Sequence, residues 1–108
     1  MSHKELVPMV EILTEVLDES LQLSIGDMSR LCSIQRKVII DMVQFGIVEP
    51  KGQGLNNWRF TGHDLVRVRQ TLRLQNDLGI NLPGAALVID LLDELNQLRA
   101  RISRNHTL

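Results

Sequence analysis

The run from Leu82 to Ile102, LPGAALVIDLLDELNQLRARI, constrains this chain more than any other stretch. Apolar residues recur at Val88, Leu91, Leu95, Leu98 and Ile102, at gaps of three, four, three and four. That spacing is the heptad seam of a helix that pairs with another helix. About twenty residues at ~1.5 Å each make a rod of roughly 30 Å. In a chain of 108 residues the rod is either the spine of the fold or a handle for a second copy. Leu87, Ile89 and Leu92 widen the stripe beyond a strict seam, enough to serve both the chain's own domain and a partner. The five seam residues are therefore the expected dimer contact. With Val88 at position a, Glu94 falls at g and Arg99 at e of the next heptad. These would meet across a parallel pair but not an antiparallel one, so the orientation stays open.

The chain ahead of the rod reads as one domain in short units. Residues 1–23 form an N-terminal extension. Within residues 6–23, Leu6, Val10, Leu13 and Leu17 fit a helical face, while Val10, Ile12, Thr14 and Val16 alternate as a strand would, and both readings stand. Residues 24–46 read as a helix-turn-helix. Ser24 caps a first helix at Ile25–Cys32, with Asp27 as capping-box partner and Met28 and Leu31 facing inward. After a break at Ser33–Gln35, a second helix buries Val38, Ile39, Met42 and Val43 and ends at Gly46. Residues 47–61 place two β-prone runs around a Gly/Asn-rich loop, which predicts a small β-hairpin, the wing of a winged helix. Trp58 and Phe60 alternate on its second strand and share one face, expected to pack on the helix-turn-helix. Thr61 caps a helix over 62–79 that buries Leu65, Val68 and Leu72, with Leu74 or Leu78, and the long helix occupies 82–104. The expected class is thus mainly α: a winged helix-turn-helix with a hairpin wing and a long C-terminal helix.

Charge is unevenly distributed around a net of −1. Residues 1–50 carry −4 and residues 51–76 carry +4, the latter from Lys51, Arg59, Arg67, Arg69 and Arg73 against Asp64. A basic middle could touch phosphate, yet it could equally pair with the acidic flanks, and the expected role of the three helical arginines is a solvated face pairing with local acids. The single cysteine, Cys32, excludes an internal disulfide and a cysteine-based zinc site, and is expected to be a small buried hydrophobe. His3, His63 and His106 lack the spacing of metal ligands, and no phosphate-loop, dinucleotide or nucleophile-elbow motif occurs. Adjacent carboxylates such as Asp93 and Glu94 read as solvated charge rather than acid–base catalysts. No enzyme, metal or cofactor is expected. The charge-free stretches are too short to span a bilayer and no secretory leader opens the chain, so a cytoplasmic protein with no membrane contact is expected.

The order of these units resembles the MerR-type winged-helix fold over roughly residues 24 to 102. MerR-like regulators present an Arg-Tyr-Tyr-type DNA contact set on the helix after the turn; here Arg36-Lys37 is followed by the apolar and partly acidic Val38-Ile39-Ile40-Asp41-Met42-Val43. A narrower resemblance covers about three-quarters of the chain. The segments Met42 to Pro50, Trp58-Arg59-Phe60, Leu72 to Leu78, Asn81 to Leu87, Leu91 to Leu95 and Leu98 to Arg101 are similar to the bacterial chaperone-modulator family often called CbpM. That resemblance implies a non-enzymatic protein that binds the J-domain of a DnaJ-like, curved-DNA-binding co-chaperone. Binding there is expected to block access to the DnaK-type chaperone and to restrain the co-chaperone's DNA binding. It also implies a short strand before the first helix. J-domains of this kind use a basic helix, so an acidic, partly apolar surface would complement it. Asp41, Asp90, Asp93 and Glu94 are the candidates, and a homodimer through the last helix is the expected assembly. Direct nucleic-acid binding is not expected; the alternative, a MerR-like regulator, would use Arg36, Lys37, Lys51 and Arg59.

Overall fold

The structure is a computed structural model that describes residues 21–106. The helix-or-strand alternative for the N-terminal extension therefore lies outside the described residues up to position 20. Four α-helices follow: α1 (Ile25–Cys32), α2 (Arg36–Gln44), α3 (Gly62–Leu78) and α4 (Leu82–His106).

Local chemistry sets the ends of the first two. The Ser24 hydroxyl accepts from the Asp27 N–H at 3.1 Å, and the Asp27 carboxylate accepts from the Ser24 N–H at 3.0 Å, a reciprocal capping box. Ser33 then adopts the left-handed conformation (φ 55°) and closes the turn, with its N–H donating to Arg30. At the end of α2, Gly46 takes φ +76°. Its N–H donates to Val43, and the Ile47 N–H donates to Met42 at 2.9 Å. This is a Schellman motif, completed by burial of both Met42 and Ile47. The helix-turn-helix expected over 24–46 is formed, except that Leu31 points outward, half exposed.

The wing is the main correction. Among the described residues there is no β-strand, and so no β-hairpin; the segment holds only two isolated bridges, Lys51 with Arg59 and Leu23 with Phe60. Arg59 exchanges both backbone hydrogen bonds with Lys51 (2.8 and 3.0 Å), and Phe60 exchanges both with Leu23 (2.7 and 2.8 Å). An antiparallel ladder from Lys51–Arg59 would continue by pairing 49 with 61 and 53 with 57. The Thr61 N–H is already donated to the Asp64 carboxylate in the cap of α3. The Asn57 N–H is donated to Gly54 within a 3₁₀ turn at Leu55–Asn57. With both positions committed elsewhere, pairing stops after one residue. Gly52 tightens the reversal: its φ is +100°, and a Cβ there would overlap the Asn57 carbonyl oxygen.

Leu23, Ile25, Met28, Cys32, Ile39, Met42, Ile47, Val48, Phe60, Leu65 and Val68 form one buried cluster. Phe60 is its largest fully buried side chain, with the Trp58 ring set edge-on at 6.2 Å. Trp58 itself is half-buried, so both aromatics serve the core. On α3, Leu65 and Val68 are buried and Leu72 packs beside them, whereas Leu78 is 59% exposed; Thr71, also fully buried, satisfies its hydroxyl on the Arg67 carbonyl at 2.8 Å. No described helix is long and apolar enough to cross a membrane.

Two outcomes follow from this core and its caps. Phe60→Ala should lower the unfolding free energy by about 3–5 kcal/mol, read from urea denaturation, because it opens a large cavity in a site closed on all sides. The Ser24 backbone N–H, then its hydroxyl, and Arg30 beside them hold the Asp27 carboxyl below the usual carboxylate range. The stability this brings is present above the unfolded-state pKa and is lost as pH falls through the lowered folded one. Asp27→Asn should therefore flatten the acid limb of a plot of urea midpoint against pH.

Candidate functional site

The last helix carries the surface with the clearest capacity to bind a partner. Asn81 starts it, its carbonyl accepting from the Ala85 N–H and its side-chain oxygen from the Gly84 N–H at 2.8 Å. Pro83 falls in the first turn, where a missing N–H costs nothing. Beyond this start, α4 is anchored on one face only. Ala85 and Ile89 are buried, four apart, and Leu82 and Ala86 pack against the core cluster. The anchoring partner is α3.

Ile89 and Leu91 lie about 200° apart around the axis, so the seam predicted from spacing faces away from the domain. Leu91, Leu95, Leu98 and Ile102 are 40–56% exposed, Leu87 is 61% and Leu92 is 43%, while Val88 at the near end is half-buried. These six large side chains form an apolar strip on the order of several hundred Å², a size that monomeric surfaces seldom leave uncovered.

The acidic candidates do not form one group. Asp90 and Glu94 are both exposed and four apart, so they neighbour each other along one border of the apolar strip. Asp93 turns the other way, toward the domain, and its carboxylate accepts from Arg67 Nη1 at 2.7 Å. Asp41 is half-buried on α2. The basic candidates for the alternative also sit in two places. Arg36 and Lys37 are exposed in the first turn of α2; Lys51 and Arg59 are exposed and directly opposite each other across their bridge.

Sequence reasoning overlooked Arg67. Placed on a presumed solvated face, its side chain is in fact only 13% exposed, and its Nε donates to the Ile47 carbonyl at 2.6 Å. No linear signal marks this, since its two partners lie 20 and 26 residues away. The other α3 arginines behave differently. Arg73 is exposed, whereas Arg69 reaches the Leu31 carbonyl at 3.4 Å and lies beside Cys32. Burial pushes the Cys32 thiol pKa up, against the opposing pull of the Arg69 cation. Among the described residues no group of three or more His, Cys, Asp or Glu could hold a metal ion.

A helix-turn-helix with a long exposed C-terminal helix defines the class. The family model described as MerR HTH family regulatory protein matches residues 23–105. Within that class the chain is similar to the chaperone modulatory protein CbpM of several bacteria. The protein of Coxiella burnetii is 33% identical over 87 residues, covering 81% of this chain and 82% of the relative. Those of Pseudomonas entomophila and Pseudomonas putida are each 34% identical over 80 residues, covering 71% of this chain and 79% of theirs. The chain belongs to the CbpM chaperone-modulator family, built on a MerR-type helix-turn-helix domain. It is accordingly a non-enzymatic modulatory protein.

Proposed function

We propose that this protein binds the J-domain of a DnaJ-like, curved-DNA-binding co-chaperone and inhibits both its co-chaperone work and its DNA binding. The observation that carries the reading is the match to chaperone modulatory proteins across four-fifths of both chains. The chemistry of α4 supports it: an exposed acidic pair, Asp90 and Glu94, borders an exposed apolar strip. A basic J-domain helix laid along that border would gain electrostatic steering from the acids, while its apolar contacts would supply affinity. Asp41 and Asp93 are the other acidic candidates. The strip itself, through Val88, Leu91, Leu95, Leu98 and Ile102, pairs two copies of the chain into a homodimer. Its breadth leaves room for both uses, and a cytoplasmic setting suits such a partner.

A second reading, a DNA-binding regulator, draws on the family model and on one structural fact. Lys51 and Arg59 face each other across a bridge, and two like charges so placed are unfavourable unless an anion sits between them. Arg36 and Lys37 would add phosphate contacts. Against it, beyond those two cations α2 offers only Gln44 and the half-buried Asp41 as polar side chains, and lacks the Arg-Tyr-Tyr-type set with which to read bases.

Two measurements separate these. Titration of the purified J-domain in a calorimeter should give binding that weakens about tenfold when Asp90→Lys and Glu94→Lys are combined. No J-domain binding, together with DNA binding that falls steeply between two salt concentrations, would instead favour the regulator. For the assembly, Leu95→Glu should convert a sedimenting dimer to monomer by burying an unpaired charge in the seam. A variant that still sediments as a dimer refutes that seam.

A further inference from the structure

Arg67 occupies a junction that nothing in the modulatory role requires. Its Nε donates to the Ile47 carbonyl at 2.6 Å and its Nη1 to the Asp93 carboxylate at 2.7 Å. Ile47 is the buried closing residue of α2, fixed through its own N–H to Met42. Asp93 is on α4, and Arg67 itself on α3. One guanidinium thus links the second helix of the helix-turn-helix to the projecting helix through the helix between them. A planar guanidinium offers its donors in fixed directions, so two simultaneous bonds restrain angle as well as distance.

The restraint matters because the rest of the anchor is slight. Among the described residues of α4 only Ala85 and Ile89 are buried, and with Leu82 and Ala86, which pack against the core, they all lie in its first eight residues. From Glu94 to Arg104 every residue is exposed. Asp93 is therefore the last of the described residues of α4 that is not exposed. From Asp93 to Ile102 the exposed arm is ~14 Å; without the Arg67 bond to Asp93 it starts at Ile89 and measures ~20 Å.

We propose that Arg67 is a positioning residue that sets the direction in which α4 leaves the helix-turn-helix. It holds the apolar strip and the Asp90/Glu94 border at a defined angle to α2. The restraint acts within one protomer, whether or not two arms pair.

Nitroxide labels at Lys37→Cys on α2 and Arg101→Cys on α4, in a Cys32→Ala full-length background, report that angle directly by pulsed electron-spin distance measurement. Dilution with excess unlabelled protein restricts the signal to distances within one protomer. The parent should give a single narrow distribution. In Arg67→Met it should broaden by roughly half again or more, following the ratio of the two arm lengths. Arg67→Lys, which keeps the charge but not the fork, should fall between. Asp93→Asn tests the same link from the half-exposed side, where the fold is least at risk, and should broaden the distribution to a smaller extent. Loss of a merely stabilising ion pair would lower the thermal midpoint and leave these widths unchanged. Unchanged widths in both Arg67→Met and Asp93→Asn overturn the proposal.

Discussion

Phe60 is the residue on which the arrangement of the domain rests. Its backbone exchanges two hydrogen bonds with Leu23, and its ring is completely buried in the cluster formed by α1, α2 and α3. Leu23 immediately precedes the cap of α1, and Thr61, the cap of α3, immediately follows Phe60. Two helix starts are thereby brought side by side through one residue pair. The capping boxes at Ser24 and Thr61 then fix the direction in which each helix departs. A few kcal/mol concentrated in one place is a large share of the stability a domain of this size commonly has.

The same geometry explains why no wing forms. A hairpin needs consecutive residues on both strands to pair, yet on the Arg59 side both flanking N–H groups, of Asn57 and Thr61, are engaged by local partners. The carboxylate of Asp64 competes for Thr61, and the 3₁₀ turn competes for Asn57. β-prone composition at Ile47-Val48 and Trp58-Arg59-Phe60 is real, but it serves burial: Ile47, Val48 and Phe60 are nearly inaccessible. Propensity measures how well a side chain suits a half-buried extended surface, and does not count competing acceptors.

The functional consequence is a division of α4 into an anchored half and a presented half. Ala85 and Ile89 face the domain, and the strip from Leu87 to Ile102 faces away from it. Asp90 and Glu94 border the presented strip, while Asp93 is drawn inward by Arg67. The proposed partner, with a basic and partly apolar surface, would meet both kinds of chemistry along one edge. Under the proposed function, the helix-turn-helix, which in a DNA-binding protein would be the reading head, would hold and aim that edge.

Much of this was legible in the residues themselves. Ser24 with Asp27, Thr61 with Asp64, and Gly46 and Gly79 at helix ends specify where helices begin and stop, because caps are local contacts over three or four residues. The apolar stripe through Val88, Leu91, Leu95, Leu98 and Ile102 was legible for the same reason, since a helix turns every 3.6 residues whatever surrounds it. Sequence also carried the family resemblance, in blocks spread from Met42 to Arg101. What it left open were the matters that depend on residues far apart in the chain. Which face of α4 meets the domain was settled by the fit of Ala85 and Ile89 against the core. The fates of Asp93 and Arg67 were settled by a partner 26 residues distant. The single-residue bridge in place of a wing was settled by which acceptor holds the Asn57 and Thr61 N–H groups. Periodicity and capping are written in neighbours; orientation and pairing are written in the packed whole.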